Sequence, residues 1–356
     1  MSVSSRSGES GFVLPYVLVV IAVLSIVTLI AADRLQRSVK ALDTLQAQSR
    51  NEVLLASAES EALYSLMTGT TVEGGIDINP ESLIRTEFGY IGKNGEILNE
   101  QDVRDVSEPD VWGASGEVRY SDVGQETQQN QRLVYVALQD LSGVISLSNG
   151  SEENLQQLFG SLGVSAEDAR SLLAKLRDYS DADNNRTFRG AERADYRMKN
   201  KALPANSPLR NHEELSRILN WDSTLAEWDL SELKSLTTIL PTNPLREIYL
   251  LPELSEIVEF SSGEEEQAGG IDFLEAISAL SKDASNDTRL IFWVEKEGGL
   301  YTKRVVDVRR TAASLDVPFR KYWVDETTVF NEDLAFSDKS LDEIKDVIHP
   351  LSLQTQ

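Results

Sequence analysis

The densest group of oxygen-bearing side chains in the sequence lies between residues 178 and 195. Counting from Asp181, side-chain oxygens fall at every second position as far as Thr187, and a glutamate follows at Glu192. This is the ligand spacing of an EF-hand loop, in which carboxylates, amides and hydroxyls surround a calcium ion. The candidate metal ligands are Asp178, Asp181, Asp183, Asn185, Thr187, Glu192 and Asp195.

The loop departs from the EF-hand at one position. Arg186 stands where an EF-hand has the glycine of its sharp turn, although the apolar Phe188 follows at the usual place. We therefore expect a non-standard loop that binds Ca²⁺, because this hard cation takes about 6 to 8 oxygen ligands and needs no nitrogen or sulfur. The alternative is a solvated loop, rich in Asp and Asn, between two helices.

The composition offers little material for catalysis. The chain has no cysteine, which excludes thiolate nucleophiles, thiolate metal sites and disulfides. His212 and His349 are the only histidines; neither has a partner histidine nearby in sequence, so both are expected to be ordinary surface or capping residues. With no nucleophile beside a base, we predict that the protein is not an enzyme.

The charge argues against a nucleic acid ligand. The sequence holds 58 Asp and Glu against 34 Lys and Arg, a formal net charge of -24. Phosphate backbones are repelled by such a surface, whereas divalent cations and basic proteins are not. Simple solubility explains the charge equally well.

The loop is expected to lie within a helical block from Glu152 to about Leu236. Its beginning resembles a helix-hairpin-helix, with helices at 155–160 and 167–177 around the turn 162–164, and Ser165 is the predicted N-cap of the second helix. Such hairpins can bind DNA phosphates through backbone amides. The acidic surroundings favour a packing role instead.

Segments on both sides of this block alternate between apolar and polar residues and predict strands. The α+β class follows: an antiparallel sheet interrupted by a large helical domain. The predicted strands are 117–120, 133–138, 143–147, 289–296, 301–308 and 321–324.

The N-terminal segment predicts a membrane anchor. Residues 12–32 form an uncharged apolar run that, at about 1.5 Å per residue, would span roughly 30 Å as a helix. The run is too long for a cleaved secretory signal, whose apolar region has about 7 to 15 residues. Arg6 precedes it and places the N-terminus in the cytoplasm and the rest of the chain outside.

The same helix is predicted to continue beyond the membrane. No proline or glycine occurs between Pro15 and Gly69, and apolar residues recur at helical spacing. One helix of roughly 50 residues is the simplest interpretation, with its second half packed against a globular head. The apolar positions are Leu35, Val39, Leu42, Leu45, Val53, Ala56, Leu63 and Leu66.

Two further sets of residues form recognisable patterns. Gly11 is followed by Phe12 immediately before the apolar run, with Tyr16 five residues into that run. The patterns D-x-x-D-x-D, G-A-E-x-x-Y and P-x-N-x-P, followed by E-E-L, occur at Asp178, Asp181, Asp183, Gly190, Ala191, Glu192, Tyr196, Pro204, Asn206, Pro208, Glu213, Glu214 and Leu215. Together these patterns resemble one protein family, the K-type minor pseudopilins of the type II secretion system. The Gly11–Phe12 step is similar to a prepilin leader, and Tyr16 replaces the glutamate that most pilins carry, as is typical of this family.

The resemblance implies a pilin-like fold, with a long N-terminal helix packed on an antiparallel sheet and a large α-helical domain inserted in the sheet region. It also implies cleavage by the prepilin peptidase between Gly11 and Phe12, methylation of Phe12, and calcium bound in the insertion. The partners would be the I-type and J-type minor pseudopilins at the tip of a periplasmic pseudopilus, with the chain held in the inner membrane by a single pass and its C-terminal domain in the periplasm. A minor pilin of a type IV pilus is the alternative.

The predicted organisation has seven segments, in chain order. They are the leader 1–11, the transmembrane part of the helix 12–32, its periplasmic part 33–67, the first part of the sheet domain 68–150, the inserted helical domain 151–236, the second part of the sheet domain 237–325 and the tail 326–356.

Overall fold

A computed structural model describes most of the chain and divides it into two compact units, Met1–Leu54 and Leu55–Gln356. The leader with Gly11 and Phe12, and all of the tail after Phe330 except 349–351, lie outside the described residues. The described ranges are 13–79, 83–86, 89–92, 97–98, 109–121, 133–228, 230–242, 244–258, 284–296, 299–311, 319–330 and 349–351.

Helix α1 is continuous over Val13–Thr68, a length of 56 residues, which confirms the single long helix. Pro15 lies in its first turn, where a missing N–H removes no helical hydrogen bond. Within the described residues, this is the one helix long and apolar enough to cross a membrane. Its apolar side chains from Tyr16 to Ile30 are exposed, as a single-pass anchor requires.

The second unit contains the end of α1, and the predicted apolar face is partly wrong there. The buried apolar residues of this part are Leu55, Ala58, Ala62, Leu63 and Leu66, so the predicted Leu63 and Leu66 are confirmed; the predicted Ala56 is exposed, as is Val53 at the end of the first unit. The buried residues recur at three- and four-residue steps, so they form one stripe on the helix.

This part of α1 is also tied to the head by acidic side chains. Glu59 forms an ion pair with Lys321, and Glu61 accepts a hydrogen bond from the Ser121 hydroxyl. Both partners belong to strands of the main sheet described next. The helix therefore packs against that sheet through an apolar stripe flanked by polar contacts.

The main sheet is antiparallel and has five strands. They are β7 (Ser115–Ser121), β8 (Val134–Asp140), β11 (Asp287–Glu295), β12 (Leu300–Arg310) and β13 (Phe319–Phe330), in the spatial order β13-β12-β11-β8-β7. Strand β13 passes the predicted end of the sheet domain at residue 325 and runs on to Phe330. The chain returns at His349, whose carbonyl accepts from the Tyr120 N–H at 3.1 Å on the free edge of β7.

Two smaller antiparallel sheets precede the main one. The first pairs β1 (Thr70–Val72), β2 (Gly75–Asp77) and β6 (Val111–Gly113). The second pairs β3 (Leu83–Thr86), β4 (Gly89–Gly92) and β5 (Ile97–Leu98).

The inserted helical block lies between β8 and β11, which are neighbours in the sheet, so the predicted insertion is confirmed. The chain leaves and re-enters through a parallel pair, β9 (Ile145–Ser146) with β10 (Thr237–Thr238). The predicted strand 143–147 is thus shorter than expected, because a 3₁₀ helix occupies Leu141–Gly143.

The helices of the block enclose their own apolar core, in which Phe159 packs edge to face against Trp221 at 5.5 Å between ring centroids. The block contains α2 (Glu152–Ser161), α3 (Ala166–Ser180), α4 (Arg193–Met198), a 3₁₀ helix (His212–Arg217), α5 (Trp221–Leu225) and α6 (Leu230–Leu236), and α7 (Pro252–Ser255) follows after a 3₁₀ turn at Glu247–Tyr249.

Candidate metal site

The site begins at the C-terminal end of α3. The helix starts at the predicted cap, since the Ser165 hydroxyl accepts from the Asp168 N–H at 3.2 Å and donates to the Asp168 carboxylate at 2.6 Å. Leu172, Leu173 and Leu176 are buried on one face of α3. Asp178 follows two residues after Leu176, on the opposite side of the helix from these leucines, and is buried as well; the helix ends at Ser180.

Three carboxylates meet at this end of α3. Asp178, Asp181 and Glu192 each contribute an oxygen, and these oxygens lie within 4.8 Å of one another. Asp178 and Glu192 are buried, and Asp181 is half-buried. The cluster thus unites three of the seven predicted ligands from two sides of the loop.

The loop 181–192 is folded around the Asp178 carboxylate. The Thr187 N–H donates to both Asp178 oxygens, at 3.3 and 3.2 Å. Gly190 packs so closely that a Cβ at this position would lie 1.9 Å from Asp178 Oδ2. Only glycine allows the backbone to approach the carboxylate in this way.

The other predicted ligands have different contacts. Asp183 Oδ1 accepts from the Asn185 N–H at 2.6 Å, which forms a local Asx turn. Asp195 accepts from the Glu192 N–H at 3.0 Å, as part of the capping of α4, and forms an ion pair with Arg186 at 3.4 Å. Asn185 and Thr187 are exposed. Asp183 and Asp195 therefore lie outside the close carboxylate group.

The close group of Asp178, Asp181 and Glu192 contains negatively charged side chains only. Asp181 Oδ1 and both carboxylate oxygens of Glu192 are buried without a hydrogen bond of ordinary geometry from the described residues, although the Glu192 carboxylate faces the Asp195 N–H in the capping box of α4. Burial raises the pKa of Asp181; the charges of Asp183 and Asp178 add to this, and a backbone hydrogen bond from Asp183 partly offsets it. Burial likewise raises the pKa of Glu192; the nearby Arg193 N–H partly offsets this, and the three aspartates reinforce it.

These observations fit a divalent cation. Several like charges converge, the donors are all oxygens, and buried acceptors lack donors. A hard ion such as Ca²⁺ would neutralise the charges and occupy the free lone pairs.

Asn206 is a neighbour of the site that the ligand spacing did not include. Its side-chain amide donates to the Asp183 carbonyl, and its own N–H donates to the Tyr179 carbonyl at 3.0 Å. Asn206 Oδ1 is buried without a hydrogen-bond partner among the described residues, and the residue has a φ of 45°. In the sequence, Asn206 is distinguished only by its place in the P-x-N-x-P pattern, which indicates the family but not a metal ligand.

His212 is not the surface residue that we expected. It is wholly buried between the helical block and the sheet, 5.0 Å from the Trp323 ring, with Nε2 3.1 Å from the Thr237 hydroxyl. Burial lowers the pKa of His212 to about 3, and the positive charges of Arg289 and Lys234 contribute. The imidazole is thus neutral at ordinary pH and packs as part of the interior.

One of three comparisons with known proteins, that with protein-family models, agrees with the sequence motifs. Residues 133–242 match a family model described as Type II secretion system (T2SS), protein K. No curated protein matches the chain. Among solved structures, the chain is similar to one described as the crystal structure of the GspK-GspI-GspJ complex from the type 2 secretion system of enterotoxigenic Escherichia coli. The identity is 17% and the TM-score 0.46, and the alignment covers 79% of this chain and 98% of that one. The family model confirms the resemblance to protein K over the segment that it matches.

Proposed function

We propose that this chain is a K-type minor pseudopilin, which acts at the tip of the type II secretion pseudopilus and supports protein secretion across the outer membrane. The observation that carries the proposal is the match of residues 133–242 to the protein K model. That segment contains β8, the inserted block from α2 to α6 and the carboxylate cluster. The apolar half of α1 supports it, because a subunit of this kind needs a membrane anchor.

The proposed location and processing follow from the N-terminal segment. The chain would cross the inner membrane once, with residues 33–356 in the periplasm. The prepilin peptidase would cleave after Gly11, and Phe12 would become the methylated N-terminus. Cleavage at this point removes the short polar leader and leaves the membrane helix attached.

The proposed partners are the I-type and J-type minor pseudopilins. The similar solved structure is named as a complex of such proteins. In the proposed assembly, Tyr16 has no carboxylate to offer to the N-terminal amine of a neighbouring subunit, and the bulky insertion leaves no space for a further subunit above it.

One experiment in the native host tests the processing and the partners together. The full chain with a C-terminal tag is purified from membranes after cross-linking, and its N-terminus and bound proteins are identified by mass spectrometry. We expect a methylated Phe12 terminus and both minor pseudopilins. Gly11→Val should retain the leader, whereas Gly8→Val is the matched control. Recovery of type IV pilus subunits in place of I-type and J-type pseudopilins would support the alternative.

We also propose that Asp178, Asp181 and Glu192 bind one structural Ca²⁺, with Asn206 as an additional oxygen donor. The buried oxygens without donors support this assignment. In the full chain in detergent, melting should occur at a higher temperature in CaCl₂ than in EGTA. A ligand at a hundred times its Kd stabilises by about 2.7 kcal/mol.

The matched variants are Asp181→Asn in the cluster and Glu153→Gln, an exposed carboxylate on α2. The calcium-dependent rise in melting temperature should vanish in Asp181→Asn and persist in Glu153→Gln. A wild-type protein that melts at the same temperature in calcium and in chelator has no such site.

A further inference from the structure

One aromatic side chain beside the carboxylate cluster lies in solvent. Phe188 is 87% exposed, although its position in the loop is one where EF-hand loops carry an apolar residue that packs inside. The backbone that carries it is held on both sides, by the Thr187 N–H bonds to Asp178 and by the close approach of Gly190. A rigidly presented, exposed aromatic ring is a common anchor for a binding partner.

Phe188 borders a groove of about 410 Å³ between the loop and helices α2 and α3. The volume is sufficient for one or two side chains of a partner. Leu173 and Ala174 of α3 contribute apolar surface to its lining. The remaining lining residues are Glu152, Arg170, Arg177, Thr187 and Arg189.

The groove is basic, in contrast with a chain whose net charge is -24. Arg170, Arg177 and Arg189 line it, and the Arg189 guanidinium lies 5.4 Å from the centroid of the Phe188 ring. Arg170 is exposed and forms no ion pair with any part of the chain that the structure describes. Guanidinium groups bind carboxylates in a bidentate manner, so the groove favours acidic ligands.

The other two arginines form ion pairs that a ligand can replace. Arg177 contacts Glu152 at 3.1 Å, with side chains 54% and 48% exposed. Arg189 contacts Glu167 at 3.1 Å, and the Glu167 side chain is 80% exposed. Exposed pairs of this kind contribute little to stability, so a partner carboxylate in the groove can take the place of either glutamate.

We propose that this Phe188 groove is a docking site for an acidic peptide segment of another protein, in which an apolar side chain enters the groove and flanking carboxylates bind the three arginines. The site differs from the carboxylate cluster proposed to bind Ca²⁺ but shares a loop with it. The Thr187–Gly190 segment faces the cluster through its backbone and the groove through its side chains.

The probe is a fluorescein-labelled synthetic peptide in which a single leucine is flanked by glutamates, and the reporter is fluorescence anisotropy with the full chain in detergent. We expect saturable binding that weakens as the salt concentration rises. Matched peptides carry lysine in place of the glutamates, or serine in place of the leucine, and both should bind at least tenfold more weakly.

The variants separate docking from folding. Phe188→Ala and Arg170→Glu should each weaken peptide binding about tenfold without lowering the melting temperature, because both side chains are exposed. The controls are Met198→Ala, at a residue 80% exposed on α4, and Arg197→Glu beside it; neither residue lines the groove. Equal binding of the acidic and basic peptides, or equal losses in the controls and the groove variants, would overturn the proposal.

Discussion

Two groups of buried carboxylates in the second unit have opposite surroundings. Asp307 on β12 is fully buried, and the Arg289 guanidinium on β11 contacts both of its oxygens, at 2.7 and 3.0 Å. Asp178 at the end of α3 is buried as well, but its close neighbours in the loop are Asp181 and Glu192, two further carboxylates. One group contains its own counter-ion, and the other contains only like charges.

The remaining contacts extend this difference. Arg289 also donates to the backbone carbonyls of Lys234 at 2.8 Å and Thr237 at 2.9 Å, which tie the end of the helical block to the sheet. In the loop, by contrast, oxygens of Asp181 and Glu192 remain without donors among the described residues. Since a buried charge needs a partner, the first group is a complete structural element, whereas the second contains no counter-ion of its own and is the site for which we propose Ca²⁺.

The largest expected effect comes from breaking the complete pair. Asp307→Ala leaves the Arg289 guanidinium buried without its carboxylate, and removing one member of a buried pair costs about 3–5 kcal/mol. Chemical denaturation of the full chain in detergent should show this loss equally in calcium and in EGTA, because Asp307 is not part of the cluster.

The double variant Arg289→Met with Asp307→Leu is the control for this prediction. Replacing both charges with apolar groups of similar size leaves no unpaired ion, so it should cost less than the single substitution. If the double variant were as unstable as Asp307→Ala, the loss would come from packing or from the backbone carbonyls that lose Arg289, and not from the unpaired charge.

A smaller effect is expected from disturbing the incomplete cluster. Gly190→Ala would place a methyl group 1.9 Å from Asp178 Oδ2, so the loop or the carboxylate must move. Overpacking of this kind costs about 1–3 kcal/mol. The calcium-dependent rise in melting temperature should also diminish, because Asp178 is displaced.

Gly160→Ala provides the matched comparison. A Cβ at Gly160 meets nothing within 4 Å, and the residue lies within helix α2, where alanine is favoured over glycine by roughly 0.5–1 kcal/mol. This variant should be at least as stable as the wild type and should retain the full response to calcium. An identical response in the two alanine variants would mean that Gly190 does not position Asp178.

The sequence predicted the elements that depend on local patterns. The length of α1 followed from the lack of glycine and proline after Pro15, and the insertion followed from a helical block between alternating strands. The cap at Ser165 was equally local. The buried side of α1 was misjudged at Val53 and Ala56, because the spacing of apolar residues does not say which of two adjacent stripes meets the sheet.

The site was predicted less completely than the fold. Asp178, Asp181 and Glu192 were among the candidates, but ligand spacing cannot separate a metal ligand from a capping residue such as Asp195 at the start of α4. The burial of His212 depends on Trp323, which is distant in sequence. Contacts of that kind are set by the tertiary fold and leave no local pattern.

The smallest expected effect is a dependence of stability on pH that has opposite signs with and without calcium. The pKa of Glu192 is raised above its ordinary value of 4.5, and that of Asp181 above 3.8, so the metal-free folded state binds protons more tightly than the unfolded state. In EGTA, Asp181 and Glu192 therefore stabilise the folded state most at pH values below their ordinary pKa values. This stabilisation is lost as the pH rises through their raised pKa values. In calcium the sign reverses, because protons compete with the cation for the same oxygens.

The many other carboxylates of this acidic chain also titrate, so the measurement is a difference between variants. Denaturation of the wild type and of Glu192→Gln is compared at several pH values between about 4 and 7, with calcium and with EGTA. In EGTA the wild type should lose stability relative to the variant as the pH rises, since only the wild type acquires the buried charge. In calcium, the wild type should gain stability relative to the variant as the pH rises. If the stability difference between the wild type and Glu192→Gln did not change with pH in either condition, the charge of Glu192 would already be compensated within the fold, as that of Asp307 is.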